Sequence, residues 1–192
     1  MGSPNVCSPT WTLYHGAVTH TDEGAFLLES LRRTRDLFLG EVAGVSEAQA
    51  SFRPSADAWS IADCAEHVAI AERGMYKLIA AAGPRTEESD RRIDERILEM
   101  GRNREQKMAA PAGAHPRRRF ATLAEAAAFF ERCRSETIEL VERSRGELRR
   151  LAVSHPLAGE IDGYQCALLM MAHPERHALQ VREIKSQPGY PA

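Results

Sequence analysis

The chain has 192 residues, of which 43% are hydrophobic and 27% are charged, and its formal net charge is −2. This length suits one domain with a single core, and the apolar content excludes a disordered chain. The near-neutral charge excludes a dedicated nucleic-acid binder, and the lack of any apolar run near the roughly 20 residues that span a bilayer excludes an integral membrane protein.

The first half of the chain predicts two long amphipathic helices. Residues 1–22 are polar and aperiodic, which is typical of an irregular lead-in. Apolar residues at helical spacing predict the first helix over about 24–43. Ser60 and Asp63 form the sequence pattern of a capping box, so the second helix begins there and stops at the Gly-Pro pair at 83–84.

The second half predicts a long connection and two further helices. The connection over 83–121 contains one short helical segment at about 89–100. Thr122 and Glu125 form a second capping-box pattern that opens the third long helix. The fourth runs over about 163–185, and we find no segment with the period-2 pattern of a strand. The sequence therefore predicts an all-α four-helix bundle over residues 23–192.

The lengths of the connections predict the order of the helices. Short links between helices one and two, and between three and four, suit antiparallel neighbours. The long crossover between helices two and three lets those two run in the same direction. We therefore expect an up-down-down-up bundle with a short extra helix in its crossover.

The four cysteines are scattered and form no C-x-x-C pair, which argues against a structural zinc knuckle, a thioredoxin-like site and a disulfide scaffold. The N-terminus lacks the basic and apolar regions of a signal peptide. We therefore expect a cytoplasmic protein with reduced thiols.

Three histidines are candidates for a joint site. His173 and His177 lie four residues apart, so their side chains share one face of the fourth helix and can converge on one metal ion. The same spacing is also met in an ordinary surface pair. His67 lies mid-helix beside apolar residues, where bundles build metal sites between facing helices. Asp63, one turn earlier, is a candidate for a supporting or base role, with helix capping as its alternative.

At these positions the sequence resembles the DinB-like superfamily of helical-bundle metalloproteins. The final His-x3-His-x2-Gln pattern is the most specific part of the resemblance, because it combines with a Trp-Ser…His segment over a hundred residues earlier. The matching segments are Arg53-Pro54-x4-Trp59-Ser60-Ile61 leading into Glu66-His67, the run His155 to Gln165, Ala172-His173-x2-Arg176-His177-x2-Gln180, and Pro188-x-Tyr190-Pro191.

The resemblance implies a commonly dimeric bundle whose divalent metal is held by His67, His173 and His177, with Gln180 near the site. Characterised relatives include transferases and isomerases that use low-molecular-weight thiols, and others are presumed hydrolases. Pro174 departs from this pattern, because a proline inside a helix removes one hydrogen bond and favours a kink. Such a kink either turns His173 away or is absorbed as a local bend.

Two hypotheses follow for the function. The first is a metal-dependent enzyme, a thiol-dependent transferase or a hydrolase, that acts on a small-molecule substrate without nucleic acid or membrane. Three imidazoles suit several ions, and we favour zinc or nickel. The alternative is a non-catalytic homodimeric bundle whose metal site is structural or vestigial.

Overall fold

The computed structural model describes residues 22–105, 108–144 and 146–192. The predicted lead-in over 1–22 lies outside this part of the chain except for Asp22, which begins the first helix. The helices and strands, in chain order, are α1 Asp22–Val42, α2 Glu47–Ser51, α3 Ile61–Ala80, β1 Gly83–Pro84, α4 Asp94–Arg102, α5 Leu123–Ser144, β2 Leu151–His155, β3 Gly159–Asp162 and α6 Gly163–Lys185. Single 3₁₀ turns cover Arg91–Ile93 and Glu147–Arg150.

The helices α1 and α6 run in the same direction, as ion pairs along their contact show. The guanidinium of Arg33 lies 2.5 Å from the carboxylate of Glu175. Further along both helices, the carboxylate of Glu41 lies 2.7 Å from the guanidinium of Arg182. The residue numbers increase together in both helices, so α1 and α6 are parallel.

The helices α3 and α5 are also parallel. Glu66, in the first half of α3, contacts Arg119 just before α5, and Glu72, later in α3, contacts Arg134 in the middle of α5. In contrast, α1 and α5 are antiparallel, because their contacts pair rising residue numbers with falling ones: Arg32 with Glu142, and Phe38 with Phe130. The up-down-down-up four-helix bundle is confirmed.

Capping boxes begin α3 and α6, the two helices that carry the candidate histidines. The side chain of Ser60 accepts from the amide of Asp63, whose carboxylate accepts in return from the amide of Ser60 at 2.7 Å. Asp162 and Gln165 make the same reciprocal pair at the start of α6, with distances of 2.7 and 3.0 Å. Each box satisfies amides that have no partner within the helix, so both helix starts are fixed.

A small antiparallel sheet in the order β1-β2-β3 accompanies the bundle, so the expectation of no strands is wrong. Ala152 pairs with Asp162, and Val153 pairs with Ile161. The strands have two, five and four residues, too few for a clear period-2 pattern. Gly159, at a φ of 73°, allows the tight return between β2 and β3.

The core is divided by a buried polar layer. One apolar cluster contains Leu31, Met75 and Met170, and the other contains Phe38, Val68 and Phe130, among other residues. Between these levels three of the four long helices, α1, α3 and α5, carry polar side chains that are at most 1% exposed, namely Thr34, Glu72, Arg134 and Thr137. This layer lies at the level of α6 where the candidate histidines are found. None of the helices among the described residues is long and apolar enough to cross a bilayer.

Candidate metal centre

The structure brings the three candidate histidines together between α3 and α6. The Nε2 atom of His173 lies 3.0 Å from Nε2 of His67 and 3.1 Å from Nε2 of His177. One nitrogen from each ring lies within 4.8 Å of the other two. Their side chains thus present three ring nitrogens to a common point.

Two of these rings are oriented by a hydrogen bond on the opposite nitrogen. His67 Nδ1 lies 2.8 Å from the carbonyl oxygen of Ala114, which only accepts, so Nδ1 carries the hydrogen. His177 Nδ1 lies 2.9 Å from Oε1 of Gln180. Arg104 donates to the same Oε1 at 3.3 Å, which supports assigning that atom as the oxygen. In the neutral rings of His67 and His177, Nε2 therefore bears a lone pair.

The donor set fits a metal ion. Nε2 of His173 carries at most one hydrogen, which can satisfy only one of its two contacts, with His67 or with His177. A cation at the common point satisfies all three nitrogens. Two imidazole nitrogens that bind one zinc ion at about 2.1 Å lie roughly 3.0 to 3.4 Å apart, and the two separations from His173 Nε2, 3.0 and 3.1 Å, fall in this range.

Burial keeps the three imidazoles neutral. It is the largest cause that lowers the pKa of each ring, and the pKa values of His173 and His177 lie well below the ordinary value of 6.5. The charges of neighbouring groups, including Arg176, lower them further. Because a metal binds the neutral ring, all three are ready to coordinate at neutral pH.

Pro174 does not turn His173 away from the other two rings. The helix α6 continues through it from Gly163 to Lys185. Pro174 has no amide hydrogen to offer the carbonyl of Met170, and that carbonyl instead accepts from the guanidinium of Arg134 at 2.6 Å. The helix thus stays continuous at Pro174, and His173 still meets its partners.

A sequence model of the DinB superfamily matches residues 30–181. The chain belongs to the DinB superfamily. The protein YuaE of Bacillus subtilis (strain 168), described as uncharacterized, is 24% identical over 148 residues, which cover 77% of this chain and 90% of YuaE. The crystal structure of TT2238, a four-helix bundle protein, covers 83% of this chain and 98% of its own at 20% identity with a TM-score of 0.52. This likeness supports the bundle fold, and the resemblance drawn from the sequence motifs is confirmed.

The two predicted supporting residues of this DinB-superfamily chain lie in different surroundings. Gln180 holds Nδ1 of His177, as described above. Asp63 lies in the cap of α3, where its carboxylate bonds to Ser60 and pairs with Arg53 at 2.7 Å. Asp63 is absent from the lining of the cavity beside the histidines. Its role toward a metal stays a prediction.

Sequence reasoning missed two residues that support the centre. The Glu66 carboxylate accepts from the amides of Arg117 and Arg119, and so anchors the segment whose Ala114 carbonyl orients His67. Trp59 packs its ring 4.9 Å from that of His67, measured between centroids. Both residues lie inside the matched Trp-Ser…Glu-His segment, which was the available signal.

A cavity of about 1360 Å³ extends from the histidines to the β2–β3 hairpin. One wall is apolar, and its side chains come from α3, α4 and α6: Ile70, Met75, Leu78, Met100 and Leu169. The crossover covers another side with Met108–Ala110 and Gly113–His115. The lining carries charge of both signs, from Arg104 and Arg176 and from Glu160 and Glu183, and Arg104 pairs with Glu183 at 2.6 Å. The DinB-superfamily bundle thus contains a mostly apolar chamber, and one end of this chamber holds the three histidines and charged side chains.

Proposed function

We propose that this chain is a metal-dependent enzyme whose divalent ion is held by His67, His173 and His177. The convergence of their three Nε2 atoms is the observation that carries the proposal. Neutral imidazoles suit zinc and nickel, which we favour among the divalent ions. Three protein ligands are typical of catalytic rather than structural zinc sites.

The surrounding residues define what the site can do. An ion with three neutral ligands and an open position supplies Lewis acidity. The Ala114 carbonyl and Gln180 hold two of the rings in place, which reduces the reorganisation that a reaction requires. The apolar wall suits a substrate with an apolar body, which would pack against it.

The size of the cavity supports a transferase that uses a low-molecular-weight thiol. Its volume of about 1360 Å³ exceeds the roughly 300 to 1,000 Å³ of typical single-ligand pockets. The chamber therefore has room for a thiol cosubstrate and a small electrophilic substrate together. Hydrolysis of an ester or amide is the second reaction that the site supports.

A cytoplasmic homodimer belongs to the same proposal. The free, buried thiols of Cys64, Cys133 and Cys166 suit a reducing compartment. The dimer is inferred from the family, and sedimentation of the purified protein tests it.

Isothermal calorimetry with Zn²⁺ and Ni²⁺ tests the metal site. We expect one equivalent to bind the wild type, and His67→Ala or His177→Ala to weaken binding by about 100-fold or more. His155→Ala is the matched control, because His155 bonds instead to the amides of Leu157 and Ala158 and should not affect binding. Less than a tenth of an equivalent bound to the wild type would contradict the proposal.

The reaction class needs a second experiment. Metal-loaded protein is mixed with an electrophilic model substrate and either a bacillithiol-like or a glutathione-like thiol, and ester and amide substrates are assayed in parallel. We expect turnover by the wild type and its loss in His177→Ala. Failure with every thiol, ester and amide, despite bound metal, favours the non-catalytic bundle.

A further inference from the structure

Pro174 creates a defect in the hydrogen bonding of α6 beside His173. In a regular helix the amide of residue 174 would donate to the carbonyl of Met170, and proline has no such hydrogen. A buried carbonyl without a partner costs about 1 to 3 kcal/mol. Met170 is fully buried, so water is not the partner that replaces the amide.

Arg134 supplies the missing donor from α5. Its Nη2 lies 2.6 Å from the Met170 carbonyl oxygen. Nε and Nη2 also bond to the two carboxylate oxygens of Glu72, both at 2.8 Å. Nη1 donates to the Leu31 carbonyl and to Thr34 Oγ1, both at 3.0 Å. All five N–H groups of the guanidinium thus have an acceptor, which fixes its plane between four helices.

The position of this guanidinium determines where the α6 backbone lies immediately before His173. Met170 is one turn before Pro174, and His173 lies between them. A rigid donor on the Met170 carbonyl limits how far a proline kink can open at this turn. The His173 ring is also the central one of the three, since its Nε2 contacts both other rings.

We propose that Arg134 is a positioning residue for His173: it replaces the amide that Pro174 removes and thereby holds the His173 ring in the cluster. This inference rests on the proposed function, because its main measurement is the binding of a metal ion. The pair Arg134 and Pro174 acts as a unit, since the arginine is needed at this carbonyl only while the proline is present.

A double-mutant cycle tests the pairing. Arg134→Lys keeps the positive charge opposite Glu72 but has fewer donors and cannot reach all of the acceptors. Pro174→Ala restores the helical amide. We expect Arg134→Lys to lower Zn²⁺ affinity about tenfold in the wild-type background and to shift the visible spectrum of the Co²⁺-loaded protein. In the Pro174→Ala background both effects should shrink, to at most about threefold in affinity.

Arg149→Lys is the matched control. Arg149 is also a buried arginine held by carboxylates, those of Glu23, Asp94 and Asp162. It lies in the 3₁₀ turn Glu147–Arg150 and meets α6 at the capping residue Asp162, away from His173. We expect Arg149→Lys to lower the unfolding temperature, as Arg134→Lys does. The spectrum of the Co²⁺-loaded Arg149→Lys protein should be the same as that of the wild type. If Arg149→Lys changes affinity and spectrum equally, or if Arg134→Lys loses the same factor in both backgrounds, the arginine is only structural and the inference is overturned.

Two variations keep the inference testable. If Arg134→Lys alone does not fold, the neutral pair Arg134→Gln with Glu72→Gln takes its place in the cycle. If the wild type binds no metal, the proposed function fails, and the cycle is followed through the imidazole nitrogen resonances of His173 in the metal-free protein. A shift in Arg134→Lys that Pro174→Ala reverses supports the positioning role, and an unchanged resonance overturns it.

Discussion

The carboxylate of Glu66 bonds to both the backbone and the side chain of Arg119, at 3.1 Å to the amide and 2.6 Å to the guanidinium. Glu66 is 4% exposed, so this charge-assisted pair is weakly screened. Glu66 is also the residue immediately before His67 in α3. One helical turn therefore holds both a candidate ligand and the anchor of the crossover segment that orients it.

Glu66→Gln should weaken metal binding without touching a ligand. The amide has one accepting oxygen and no charge, so it cannot hold the amide of Arg117 and both donors of Arg119 as strongly. The segment that carries the Ala114 carbonyl then loosens, and we expect Zn²⁺ affinity to fall about tenfold in calorimetry. Glu125→Gln, in the α5 cap, is the control. Wild-type affinity in Glu66→Gln would show that this anchor does not act on His67.

The metal-free protein should lose stability as the pH falls below 6.5. Burial lowers the folded-state pKa of His67, His173 and His177 below the ordinary 6.5, so below that pH the unfolded chain binds more protons than the folded one. The contribution of these histidines to the free energy of unfolding is complete above pH 6.5. It decreases as the pH falls toward their folded-state pKa values, by up to about 1.4 kcal/mol per histidine for each pH unit. Urea unfolding between pH 5 and 7.5 measures this, and His177→Ala should show a shallower slope. An equal slope would contradict the assignment.

Gly101→Ala should destabilise the contact between α4 and α6. A Cβ at Gly101 would lie 2.6 Å from Cβ of Ala172, the residue before His173. The helices must then move apart, which costs about 1 to 3 kcal/mol. Gly40→Ala in α1 is the control, because its Cβ meets nothing within 4 Å and should add about 0.5 to 1 kcal/mol to the free energy of unfolding. Urea unfolding compares the two, and a Gly101→Ala variant as stable as the wild type would be inconsistent with this packing.

Trp59 should report ion binding by fluorescence. Its ring lies 4.9 Å from that of His67 and stacks 6.1 Å from that of His177, measured between centroids. An open-shell ion such as Cu²⁺ at the histidines should quench this indole more strongly than Zn²⁺ does. Trp59→Phe should keep the binding stoichiometry and reduce the absolute loss of emission that Cu²⁺ causes, because the indole beside the histidines is then gone. The same absolute loss of emission in Trp59→Phe and in the wild type would contradict the placement.

Local patterns predicted the helices well. The capping box at Ser60 marks a helix start that the structure confirms, and the fourth helix has the predicted bounds. The short helix α2 was missed, although Ser46 and Gln49 form the same box before it. Its five residues are too few for a clear apolar period.

The buried polar layer could not be predicted from the sequence. An arginine in a helix such as Arg134 is ordinarily taken for a solvent-exposed residue, and nothing nearby in sequence names Glu72 or Met170 as its acceptors. Pro174 signalled a defect in α6, but the donor that compensates for it comes from another helix. Such contacts depend on how helices meet in space, which periodicity does not encode.

The crossover residues that line the cavity are different from the residues that form most of the core of the bundle. The bundle core depends chiefly on α1, α3, α5 and α6, whereas Met108–Ala110 and Gly113–His115 line the cavity from outside those helices. Substitutions in that lining can therefore change the shape of the chamber while the packing of the four long helices is preserved. A single scaffold with a fixed trio of histidines can in this way diversify toward new ligands at little cost in folding stability.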